Sequence, residues 1–169
     1  MLELSTDDDY SSGMAKPDVV PWLDTDEGEV WLSLVGVLIR LPAALDAQLR
    51  RDAGLSHFEY QILAALSMTE TRTLPMSDMA DFTKSSLSRL SHACRRLEGQ
   101  GWVKRSPDPD DGRVTLATLT KAGHAKIVDV APGHVRTVRS LVFDPLTNQQ
   151  VKQLGQALAR IQARIASGD

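Results

Sequence analysis

From Val30 onward, apolar residues return at helical spacing. Trp31, Leu34, Val35, Leu38, Leu41, Leu45 and Leu49 fall on one face of a helix. Asp26 is its expected N-cap, with Glu27 and Glu29 suited to the positive end of the helix dipole. Pro42 lies inside the run and is expected to kink or briefly break it; Gly54 ends it. A second stripe, Phe58, Ile62, Leu63 and Leu66, follows the capping-box pattern Ser56-His57-Phe58-Glu59. Arg72-Thr73-Leu74 reads as a short strand before Pro75. Ser77 is placed as the cap of a short helix from Asp78 to about Phe82, with Met79, Ala80 and Phe82 in the core. Next, Leu87, Leu90, Cys94 and Leu97 recur at i, i+3, i+7 and i+10, a single buried face on a helix capped by Ser86. Ser88, Arg89, His92, Arg95 and Arg96 fall largely outside that face.

Gly99 and Gly101 stop this helix, and Trp102 and Val103 begin a strand. Asp108, Pro109, Asp110 and Gly112 are turn formers, each by its own mechanism, and Val114 to Leu119 is the returning strand. Thr120 caps a helix that runs through Ile127 and, past a bend near Pro132-Gly133, on to Val142. Thr147-Asn148-Gln149-Gln150 is a capping box for a last helix with Val151, Leu154, Leu158, Ile161 and Ile165 on one seam. A helix followed by a β-hairpin with a basic residue near its tip is a winged helix. The predicted fold is therefore mainly α with a small β-hairpin wing, a winged helix-turn-helix lobe joined to a helical dimerisation region. Its expected divisions are an acidic, disordered arm over residues 1–25 and a dimerisation helix over 26–54. The DNA-binding lobe covers 55–120 and the C-terminal dimerisation helices 121–169.

Composition narrows the function class. A chain of 169 residues is ample for one domain with its own core. A single cysteine excludes an internal disulfide and suits a reducing compartment. No run is expected to approach the roughly 18 apolar residues of a membrane span. The N-terminus has neither a basic region nor an apolar core of a signal peptide. A cytoplasmic location without membrane attachment follows as the expectation. The net charge of −3 hides an asymmetry: residues 1–30 hold nine acids against Lys16, net −8, which leaves +5 for the remainder. Six bases (Lys84, Arg89, Arg95, Arg96, Lys104 and Arg105) stand against Glu98 alone between residues 84 and 105. Such a patch attracts phosphate over roughly a Debye length of 8–10 Å.

The helix from Ser86 to about Glu98 is the first candidate for chemistry. A helix fits the major groove, and its N-terminal residues meet base edges. Ser86, Ser88 and Ser91 allow close approach, Arg89 is long enough to reach a guanine edge, and His92 lies on the same outward side. Arg95 and Arg96 are assigned to phosphates. The second candidate is the hairpin tip, where Asp111 is placed to pair with Arg113 and aim its guanidinium. Arginine in a narrow minor groove is a recurrent mode of readout. No catalytic serine, cysteine or carboxylate constellation is present. The four histidines show no metal-ligand spacing, so neither an enzyme, a cofactor nor a metal is expected.

Asp111-Gly112-Arg113, the six residues on to Leu119, and Leu119-Thr120-x-x-Gly123 resemble the wing signature of the MarR (multiple antibiotic resistance regulator) family. Met76-Ser77-Asp78-Met79-Ala80, Ser86-Leu87-Ser88-Arg89-Leu90-Ser91-His92 and Arg96-Leu97-Glu98-x-x-Gly101-Trp102-Val103 resemble its helix-turn-helix. With the flanking helices, the likeness covers roughly residues 26–166. It implies a homodimer with intertwined terminal helices and two lobes reading a near-palindromic double-stranded DNA site, most often as a repressor. By motif position, Ser86, Ser88, Arg89, Ser91 and His92 would contact the groove and Arg113 the minor groove, with Asp111 orienting it. The chain departs from the pattern at Thr83-Lys84-Ser85, where many members have Leu-Gly-Val, and at His92, where many carry Arg. Such proteins commonly release DNA when a small aromatic or anionic effector binds between dimer helices and lobe; Trp31, Phe58 and Tyr60 are candidates for lining that pocket. Two alternatives stay open. One is a winged-helix dimer that docks a protein partner; the other is a regulator sensing oxidants through Cys94, although Cys94 lies on the buried stripe.

Overall fold

The computed structural model describes residues 20–168, so the predicted arm over residues 1–25 lies almost wholly outside the described part. The chain divides into two compact units, one through Gly36 and one from Val37. Thr25–Ala53 is a continuous helix, α1. Its cap is Asp24 rather than Asp26: the Asp24 carboxylate accepts from the Glu27 amide at 2.8 Å, and Glu27 accepts from the Asp24 amide at 3.0 Å. Pro42 does not break the helix. It is exposed, where water can satisfy the carbonyl one turn back.

The absence of a membrane-length apolar run is also corrected. By length and composition, α1 is apolar enough to cross a membrane. Between Val30 and Ala47 only Arg40 and Asp46 are charged. Val30, Leu32, Val37 and Ile39 are exposed in addition to the predicted stripe, so apolar residues nearly surround the axis. A helix that lies among other helices meets the same criterion.

In the second unit, α2 (His57–Ser67), β1 (Thr73–Pro75), α3 (Met76–Phe82) and α4 (Leu87–Gly99) come first. They are followed by β2 (Val103–Pro107), β3 (Thr115–Leu119), α5 (Lys121–Val138), a π-helical turn (Arg139–Phe143) and α6 (Asn148–Ser167). The sheet is antiparallel in the order β1-β3-β2, with Val103 opposite Leu119 and Thr73 opposite Thr118. The capping boxes predicted at Ser56 and Thr147 are both formed, and Thr120 caps α5.

The core joins Leu49 of α1, Ile62, Leu63 and Leu66 of α2, and Met79 of α3. Leu90, Cys94 and Leu97 of α4, Ala117 and Leu119 of β3, and Ile127 of α5 complete it. Each fully buried aliphatic chain contributes about 1.5–3 kcal/mol relative to exposure.

Three local expectations are corrected. The short third helix starts at Met76 on an N-cap of Pro75, whose φ of −58° presets helix entry, while Ser77 Oγ donates to Asp78. Phe82 and Leu87 are not core: they are 62% and 56% exposed. Both sit at helix ends, past the last neighbouring element, so the stripe continues where nothing covers it. Ala93 fills the inner face of α4 instead. The bend at Pro132-Gly133 does not interrupt α5; irregularity begins at Arg139, where the Asp144 amide donates to the Arg139 carbonyl at 2.8 Å. In α6 no residue is buried, and the seam residues Leu154, Leu158, Ile161 and Ile165 are all exposed.

Candidate nucleic-acid interface

Ser86 sets the start of α4: its backbone is extended and its hydroxyl accepts from the Arg89 amide at 3.2 Å. The turn leading in is built without glycine. Lys84 takes the left-handed conformation at φ 46°, at the position where many MarR members have Gly. Around it, Thr83 Oγ1 donates to the Met79 carbonyl at 2.8 Å and lies 2.9 Å from Ser85 Oγ. Leu90, Ala93, Cys94 and Leu97 pin the inner face, which turns Ser88, Arg89, His92, Arg95 and Arg96 to the exposed side.

Several candidate side chains have partners inside the protein. The Arg89 guanidinium lies 4.4 Å over the Phe58 ring. Ser91 Oγ accepts from Arg105 at 3.1 Å. Arg105 also grips Glu98, with contacts at 2.6 and 2.8 Å, and so ties β2 to α4. Arg105 holds the Glu98 carboxyl below its ordinary value, chiefly through its side-chain hydrogen bond. Arg96 donates to Glu59 at 2.7 Å. Burial pushes the Glu59 carboxyl up, yet bonds from Ser56 and Arg96 outweigh that and keep it low. Lys84 pairs with Asp81 at 2.7 Å. Three of the six bases counted from sequence are therefore matched by carboxylates. Among the described residues Arg89, Arg95 and Lys104 form no ion pair, although Arg89 lies against the Phe58 ring.

At the wing, Asp108 accepts from the Asp110 amide at 2.8 Å, and its own amide donates to the Val114 carbonyl at 2.9 Å. That tight loop presents Arg113, whose side chain is 92% exposed. Asp111 holds it by two parallel bonds of 3.0 Å, from Nε and Nη2. The Arg113 side-chain bond is the main reason that the Asp111 carboxyl titrates below its usual range. A forked, doubly held guanidinium at a hairpin tip points in a fixed direction.

A cleft of about 550 Å³ opens between α1, α2 and α4. Asp46 and Arg50, His57 and Phe58, and Arg89, His92 and Arg96 line it. Of the three aromatic residues considered for an effector pocket, only Phe58 is among them. Trp31 is 54% exposed. Tyr60 packs on the core with its ring 4.3 Å from His134, which is itself buried and 3.2 Å from Gln48 Oε1. No sequence pattern singles out that histidine, since its partners lie far away in the chain. Cys94 is wholly buried, and burial pushes its thiol up to about 11. Among the described residues no group of three or more His, Cys, Asp or Glu is placed to hold a metal ion.

The closing motif Leu119-Thr120-x-x-Gly123 has a steric cause. Thr120 Oγ1 donates to the Gly101 carbonyl at 2.7 Å and accepts from the Gly123 amide at 3.0 Å. Gly123 lets α5 lie against the Trp102 carbonyl, where a side chain has no room.

A profile described as the MarR family matches residues 53–114. Sco3205 of Streptomyces coelicolor, a MarR family transcriptional regulator solved in complex with DNA, is 42% identical. The match covers 85% of this chain and 94% of that one, with a TM-score of 0.81. AbsC, a MarR family regulator of the same organism, is 34% identical over 86% of this chain and 98% of its own, also at 0.81. The uncharacterised regulator YdcH of Bacillus subtilis is 28% identical over 80 residues; the chain spans about half of it, 54%. These relatives are transcriptional regulators, not enzymes. With a winged helix-turn-helix built as described and two relatives matched nearly end to end, the chain belongs to the MarR family of transcription regulators.

Proposed function

We propose that this chain is a homodimeric repressor that reads a near-palindromic double-stranded DNA site and releases it when a small anionic or aromatic effector binds. The observation that carries DNA reading is Arg113, almost fully exposed beyond the hairpin and aimed by Asp111. An arginine so placed suits a narrow minor groove, while Ser88, Arg89, His92 and Arg95 face the adjoining major groove from α4. Residues 55–120 form the reading lobe in this scheme, with 26–54 and 121–169 as dimerisation helices.

The unburied seam of α6, from Val151 to Ile165, supports the dimer: a helix with no buried residue and an apolar stripe needs a second surface. The apolar girth of α1 has the same explanation, and a cytoplasmic location follows from a DNA target. Two lobes related by a two-fold axis would set recognition helices about 34–36 Å apart. For the effector, the cleft beside α4 gathers Arg50, Arg89 and Arg96 around Phe58, a setting for a carboxylate on a flat ring. An anion held there retains Arg89 on the protein side and away from DNA.

The test is selection of bound duplexes from a randomised pool at about 150 mM salt, near physiological strength. A recovered palindrome with half-sites about one helical turn apart is expected. No enrichment, with a dimer still present by light scattering, would overturn DNA reading and favour a dimer that docks a protein.

A further inference from the structure

We infer that Leu87 is a specificity-determining residue, reading the 5-methyl group of a thymine in each half-site. This rests on the proposed DNA reading. By periodicity Leu87 belongs to the inner stripe of α4, yet it is 56% exposed at the first position of the helix. A lone exposed leucine is ordinary on a protein surface. Its place is not: it stands at the leading end of the helix offered to the groove, between Ser86 and Ser88, where side chains meet base edges.

The polar neighbours are largely committed elsewhere. Ser86 caps the helix, and Ser91 accepts from Arg105. Leu87 is the large side chain left without a partner on that first turn. It neither donates nor accepts a hydrogen bond, and one group on the major-groove edge rewards such a surface, the C5-methyl of thymine. Against any other edge the leucine would strip water from polar atoms and return no bond, so it selects by exclusion as well as by contact.

The experiment takes the duplex recovered by the selection above and replaces each thymine in turn by deoxyuridine. That change deletes the methyl group and keeps the pairing and hydrogen-bond edge. For the unmodified protein, one thymine per half-site is expected to show about fourfold weaker binding per methyl, the value of one methylene-sized group returned to water. Leu87→Ala should bind thymine and uracil duplexes alike at that position, with its melting temperature unchanged because the residue is exposed. Phe82→Ala, which removes the other exposed apolar group of the helix-turn-helix, should keep the discrimination. Loss of discrimination in Phe82→Ala but not in Leu87→Ala overturns the assignment. So does a duplex on which no thymine distinguishes the protein from Leu87→Ala. Failure to recover any duplex overturns the DNA reading itself and this inference with it.

Discussion

Gly123→Ala tests how the wing is joined to the helix that carries it. A Cβ at this position would run into the Trp102 carbonyl oxygen, and it would lie 2.9 Å from that carbonyl's carbon and 2.8 Å from Leu119 Cδ1. Leucine can rotate away, but the backbone of Trp102 cannot. It is fixed by the Thr120 amide, which donates to the same carbonyl at 3.0 Å, and by the strand pairing of Val103 with Leu119. Relief requires moving the start of α5 off the sheet or losing the Thr120 bond. Overpacking costs about 1–3 kcal/mol and a lost hydrogen bond about 1 more. Better helix propensity of alanine returns up to about 1. The net is about 2 kcal/mol, or a melting temperature lower by about 4–8 °C for a domain of this size. The assay is thermal unfolding at fixed protein concentration, because association shifts the midpoint. Gly99→Ala is the control: it is helical with open space around it and should be neutral or slightly stabilising. A Gly123→Ala protein that melts with the unmodified one refutes the steric reading of the motif.

Three further outcomes are expected. Arg113→Ala should weaken specific DNA binding by about 5- to 150-fold while leaving the dimer intact by light scattering; undiminished affinity removes the minor-groove role. Burial lowers the pKa of both His57 and His134, with Asp46 opposing it at His57 and His57 adding to it at His134. Unfolded chains then bind more protons than folded ones below about pH 6.5, so stability should fall as pH drops through that value toward the depressed folded pKa. Equal urea midpoints at about pH 7.5 and about pH 5.5 would contradict that burial effect. Cys94, buried and with its thiol pushed up to about 11, should resist a thiol reagent in the folded protein. Rapid labelling, or DNA release by peroxide that Cys94→Ala abolishes, would restore the oxidant-sensing alternative.

The sequence was legible wherever burial and periodicity coincide. Ile62, Leu63, Leu66, Leu90, Cys94 and Leu97 were readable because each inner face repeats, and Ser56, Ser86, Thr120 and Thr147 because a cap needs a particular side chain at a particular offset. Legibility fails at element ends. Leu87 and Phe82 continue a stripe past the last covering element, so pattern alone sends them inward. It fails also for contacts between distant segments: Arg96 meets Glu59 from 37 residues away, and His134 meets Gln48 from 86. The first of these removes Arg96 from the freely offered charge. In α1 helical periodicity marks one stripe although apolar residues nearly encircle the helix, because a repeat that fits one face is blind to the others.

Hydroxyl-radical footprinting of the selected duplex, with the full chain and with Arg113→Ala, probes the two-lobed reading most directly, since the reagent attacks sugars along the minor groove. The full chain should protect two half-sites about one helical turn apart, roughly 34–36 Å, with a further protected stretch of minor groove on each outer side. Arg113→Ala should lose the outer protections and keep the inner ones. A single short footprint, or outer protections that survive the substitution, would contradict a dimer reading DNA through a helix and an arginine-tipped wing.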